Sequence, residues 1–137
     1  MVAFLLAAMV GISGCWALKY ADISERPDYQ HLIGTRYVST GTMRISGVNL
    51  PPGYGPEIDI YTLEPSLDWD WTGPERISRE TLPVGTTMTV ESVWRCTNCP
   101  FENRIMVRVA VKEFAKEVDV PIKIDIKYLA PPYVRSD

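Results

Sequence analysis

The sequence predicts an all-β fold, a small antiparallel barrel or sandwich. Residues 104–112 and 122–128 alternate apolar and polar side chains with a period of two, the mark of a strand with one buried face. Eleven prolines and nine glycines break the chain often, which favours turns over long helices. From residue 32 on, six short strand-like runs are bounded by turn residues, the pattern of small β-domains.

The elements follow in order. Thr35 to Ser39 and Met43 to Val48 are short runs separated by Thr40-Gly41, a hairpin-like punctuation. LPPGYGP (50–56) is a loop by composition. Glu57 to Tyr61 alternates as a strand does. Residues 62–83, rich in Pro, Gly, Ser and charge, form the longest irregular segment. Thr86 to Trp94 places Met88, Val90 and Trp94 on one face. In the next run Ile105, Val107, Val109 and Val111 face one way, with Arg104, Arg108 and Lys112 opposite. Phe114 and Val118, four apart, suit one helical turn ended by Pro121. The last run turns Ile122, Ile124, Ile126 and Tyr128 inward. The domain is therefore expected over 32–129, with 130–137 as an extended, mobile tail.

LPVGTTMTVESVW (82–94) resembles the second-strand region of bacterial SH3-like domains, where a Gly-Thr turn opens an alternating strand. A following strand, a short helical turn and a last strand extend the resemblance over roughly residues 80 to 129. It implies a small SH3-like barrel. The irregular 62–83 segment and the N-terminal hairpin depart from that pattern.

Val2 to Ile12 carries no charge and is too short to span a bilayer, which needs roughly 20 apolar residues. It fits the apolar region of a secretory signal. Ile12-Ser13-Gly14-Cys15 then resembles the lipobox of bacterial lipoproteins. That resemblance implies a signal peptide over 1–14, cleavage before Cys15, and lipid on its sulfur and new amino terminus. Trp16, rather than Asp, follows the cysteine; in Gram-negative lipoproteins this resembles the pattern sent to the outer membrane, facing the periplasm. No Lys or Arg precedes the apolar run, a departure from the usual signal. Residues 15–31 show no clean period and read as a tether.

Removing 14 residues from 137 leaves 123, one domain with a modest core. The net charge of −3 argues against nucleic acid, since phosphate contacts need a basic patch. Of three cysteines, lipidation consumes Cys15 and leaves Cys96 and Cys99 in an oxidising compartment. Cys96-Thr97-Asn98-Cys99 reads first as a disulfide closing a tight loop. A redox pair would need a helix N-terminus, whereas a strand precedes Cys96. A zinc site would need two more ligands, and the chain has only His31 besides.

Asp68-Trp69-Asp70-Trp71-Thr72-Gly73 resembles the first half of an EF-hand loop, but Arg79 stands where the bidentate Glu belongs. No metal or other cofactor is expected. If 68–71 is extended, Trp69 and Trp71 share one face and Asp68 and Asp70 the other. The tryptophans read either as a lid on the barrel or as a binding platform. Catalysis would have to use His31 at the tether boundary, so no enzyme is expected. The reading is a lipid-anchored envelope module, held to the bilayer through Cys15. It would bind an envelope protein or peptidoglycan through the 62–80 loop, with Trp69, Trp71, Asp68 and Asp70, and through the hairpin tip at 96–99. The alternative is an immunity or inhibitor lipoprotein whose acidic loop plugs the basic cleft of a periplasmic toxin or hydrolase.

Overall fold

The computed structural model describes residues 18–50, 55–67, 69–100 and 102–137. The signal region, Cys15 and Asp68 lie outside the described residues. In chain order the elements are β1 (Tyr20–Asp22), α1 (Pro27–Gln30), β2 (Arg36–Ser39), β3 (Met43–Val48), β4 (Ile60–Pro65), β5 (Arg76–Leu82), β6 (Thr87–Cys96), β7 (Ile105–Val111) and β8 (Ile122–Asp125). A 3-10 turn over Ile126–Tyr128 and β9 (Val134–Ser136) complete them. The strands form one sheet in the order β5-β3-β4-β8-β7-β6-β2-β9, with β1 also paired to β6. It is an all-β, barrel-like or sandwich-like fold whose sheet does not close.

The sheet is mixed rather than purely antiparallel. Tyr61 and Leu63 of β4 lie opposite Ile122 and Ile124 of β8 in a parallel pair. Parallel neighbours need a long crossover, and the chain from β5 through β7 supplies it. The core holds Met43, Ile45, Tyr61, Met88, Val107 and Ile124, all buried. Each such side chain gains roughly 1.5–3 kcal/mol on burial.

Several expected elements differ. β2 and β3 are not a hairpin: β2 pairs with β6 and β9, β3 with β4 and β5. The turn between them is held by other segments, Ser39 N–H donating to the Thr86 carbonyl and Thr40 N–H to that of Tyr133, both at 3.0 Å. Half of residues 62–83 is strand, 62–65 in β4 and 76–82 in β5, and the described residues between them are irregular. Phe114 and Val118 belong to no helix. Phe114 packs edge-on against Tyr61 at 5.0 Å, while Val118 is exposed. β8 stops at Asp125, whose carboxylate accepts the Lys127 N–H at 3.1 Å and turns the chain into the 3-10 turn.

Neither the described part of the expected tether nor the expected tail is without structure. In the segment read as a tether, Tyr20 faces Cys96 and Asp22 faces Trp94 in antiparallel register, and Ile23 is buried. The segment read as a mobile tail carries β9, with Val134 buried and facing Ser39. Both strands have three residues, too few to display a period. In β6, a register shift between Val90 and Ser92 sends Val93 into the core in place of Trp94. Trp94 stays on the outer face, its Nε1 donating to Ser92 Oγ at 2.8 Å.

Candidate functional site

β3 is buried on both of its faces. Met43 and Ile45 face the core; Arg44, Ser46 and Val48 face outward yet are covered. Cross-strand partners share a face. Arg44 is opposite Glu64, Ser46 opposite Arg79, and Val48 opposite Arg76. In a regular strand Arg76 and Arg79, three residues apart, would point to opposite faces. The register shift between Gly47 and Val48 removes that opposition and turns both arginines outward beside Arg44.

The segment 66–75 crosses this cationic face and is clamped to it. The Asp70 carboxylate meets Arg44 at 3.1 Å, Arg76 at 3.0 Å and Arg79 at 2.5 Å. Arg44, only 5% exposed, also donates to the carbonyl oxygens of Leu67 and Trp69 and to Glu64, each at 3.3 Å. Arg76 donates to the Trp71 carbonyl at 2.8 Å, and its guanidinium lies 5.3 Å from the centre of the Trp71 ring. Burial works to raise the Asp70 carboxyl. The hydrogen bonds from Arg76 and the charges of Arg44, Arg76 and Arg79 outweigh it, so the pKa falls below its ordinary 3.8.

These contacts separate the residues that the sequence grouped. The segment is not a strand. Trp69 stands out at 58% exposure, whereas Trp71 is half-buried against Arg76. Asp70 does not face outward: it is the pin that holds the loop down. A carboxylate already shared by three guanidinium groups is also poorly disposed to ligate a cation, which removes the central ligand of the calcium-loop resemblance. The arginines and Glu64 were missed by sequence reasoning. The odd Arg76/Arg79 spacing was the available signal, unreadable without knowing where the strand is bulged.

Cys96 and Cys99 form a disulfide, with Cα atoms 5.7 Å apart, at the tip joining β6 and β7. This tip is tied to the start of β1: Lys19 N–H donates to Asn98 Oδ1 at 2.6 Å, and the Lys19 carbonyl accepts from Thr97 N–H at 2.8 Å. His31 sits exposed at the end of α1, its carbonyl accepting the Thr35 hydroxyl at 3.1 Å.

A second aromatic group lies on the outer face of β1, β6 and β8. Lys123 Nζ is 5.2 Å from the Tyr20 ring centre and 6.0 Å from that of Trp94. Burial, and then the charge of Arg108, lower its pKa. An open cleft of about 710 Å³ lies where the Asp22–Pro27 turn passes Glu91 and Ser92. The Asp22 carboxylate there accepts from the Ser24 hydroxyl at 2.6 Å and the Ser24 amide at 2.8 Å, which lower its pKa. Asp22 is thus occupied as a turn-forming group.

Among the described residues no helix is long and apolar enough to cross a membrane. The chain matches no protein-family model, no curated protein and no solved structure.

Proposed function

We propose that this chain is a lipid-anchored bacterial envelope protein whose β-domain binds peptidoglycan or another envelope protein through Trp69. The observation that carries the binding reading is an indole at 58% exposure on a loop whose backbone is clamped by Arg44 and Arg76. A large apolar side chain held out from a fixed backbone loses little conformational freedom on binding. The lipobox-like Ile12-Ser13-Gly14-Cys15 supports the anchor. The SH3-like resemblance gains support from connectivity: β6, β7 and β8 run as a meander, a 3-10 turn follows, and β9 returns to pair with β2. β3 to β5 then form an insertion that carries the tryptophan loop. An inhibitor using an acidic plug is less well supported, because Asp70 is neutralised from within.

The test is co-sedimentation of the mature protein with purified sacculi, against Trp69→Ala. An interface tryptophan contributes about 2 kcal/mol or more, so the variant should bind roughly thirtyfold more weakly. Equal binding by the two proteins would refute the role of Trp69. No binding by the wild-type protein would exclude the wall, leaving an envelope protein to be sought by cross-linking from position 69.

A further inference from the structure

We infer that the disulfide-closed tip between β6 and β7 docks on the bilayer that holds Cys15, an inference that rests on the lipid anchor proposed above. The chain is fixed to the fold from Lys19 onward. The Lys19 amide donates to Asn98, its carbonyl accepts from the Thr97 amide at 2.8 Å and the Thr97 hydroxyl at 3.2 Å, and Tyr20 is in register with Cys96. Four residue steps separate Cys15 from Lys19. Even fully extended they reach at most about 14 Å. An acylated Cys15 lies at the headgroup level, so a tip so closely tethered has little room to stand clear of the surface.

The composition of the tip suits that position. Leu18 is exposed and, with Cys99, Pro100, Glu102 and Arg104, lines a shallow hollow of about 240 Å³. Lys19 is exposed beside it. Apolar Leu18 and Pro100 are flanked by the cationic Lys19 and by Arg104, whose charge is shared with Glu102 at 2.9 Å, so Lys19 is the cation that complements an anionic headgroup layer beside an apolar contact. The opposite end of β6 gives an internal control. Val84 is exposed in the turn that precedes β6, and the ten residues of that strand span about 30 Å. Docking by the tip therefore orients the domain, with the 83–86 turn held away from the lipid.

The experiment uses the acylated, mature protein in phospholipid vesicles, with a benzophenone amino acid placed at exposed Asn103 or at Val84. Intact mass reports acylation, and irradiation reports lipid neighbours. Docking predicts phospholipid adducts at position 103 and their loss at position 84. An acylated chain with no adduct at 103, or with equal adducts at both positions, overturns the docking and leaves the anchor standing. A chain without acyl mass overturns the anchor, and the docking with it.

Discussion

Replacing Arg44 by Met would test whether the arginine clamp holds the tryptophan loop. Methionine fills the slot with a stem of similar length and removes only the guanidinium. The lost donors served the carbonyls of Leu67 and Trp69 and the carboxylate of Glu64, each at 3.3 Å. That is long for an N–H···O bond, so each contributes at the low end, about 1 kcal/mol. Asp70 keeps Arg76 and Arg79, but Glu64, its side chain only 18% exposed, loses the guanidinium that faces it, so the hydrogen-bond sum is a lower bound on the loss. The expected loss is at least about 2–3 kcal/mol. In urea, with a slope of about 1–3 kcal/mol/M, the midpoint should fall by roughly 1–2 M or more. Chymotrypsin should cleave after Trp69 and Trp71 at least about thirtyfold faster, because cleavage follows the population of the open loop. If loop docking is weaker than the estimate, the loop lifts early and cleavage still accelerates. An unmoved midpoint together with unchanged cleavage would show that the clamp does not hold the loop.

Two further perturbations probe the loop and the tip. The Asp70 pKa is lowered in the folded state, so its contribution to stability is present above the unfolded value of 3.8 and lost as pH falls through the folded value below that. Acrylamide quenching of tryptophan emission should therefore be flat from neutral pH to about 4 and rise only below it, and Asp70→Asn should abolish the acid step. Replacing Cys96 and Cys99 together by Ser opens a very short covalent loop, with an expected loss of about 2 kcal/mol at most. Hydrogen exchange should quicken at residues 19 to 22, because the tip that receives Lys19 is no longer closed. Unchanged exchange there would separate β1 docking from the disulfide.

The fold was legible where burial on a single face repeated for long enough. β7 satisfied that condition through Val107, Val109 and Val111, and the expected core face is the observed one. β1 and β9 did not, because three residues cannot show a period and their stability comes from the register of β6 and β2. Pairing was legible only for neighbours joined by a tip, such as β6 and β7. Thr40-Gly41 looked like a hairpin because turn residues report a change of direction, not the strand that will be met after it. The parallel β4–β8 contact has no local signature, since the residues that create it are some sixty positions apart.

The candidate site failed to be legible for a related reason, and the reason bears on what the loop can do. Alternation assigns faces by counting in twos, and a single bulge inverts every assignment beyond it. The shift at Val48 turns Arg76 outward beside Arg79, and the shift at Ser92 exchanges Val93 for Trp94. The misplaced core face of Trp94 therefore falls at a bulge, and beside each bulge an aromatic group lies on the outer surface: Trp71 under Arg76 in one case, Trp94 beside Lys123 in the other. In the first case the outward arginines collect Asp70, which draws the acidic side chain in and leaves Trp69 as the projecting group. The DWDW pattern suggested a surface of alternating acid and indole. In the fold Asp70 is held by three arginines while Trp69 projects at 58% exposure, so recognition by this loop should draw on stacking and apolar contact by that indole.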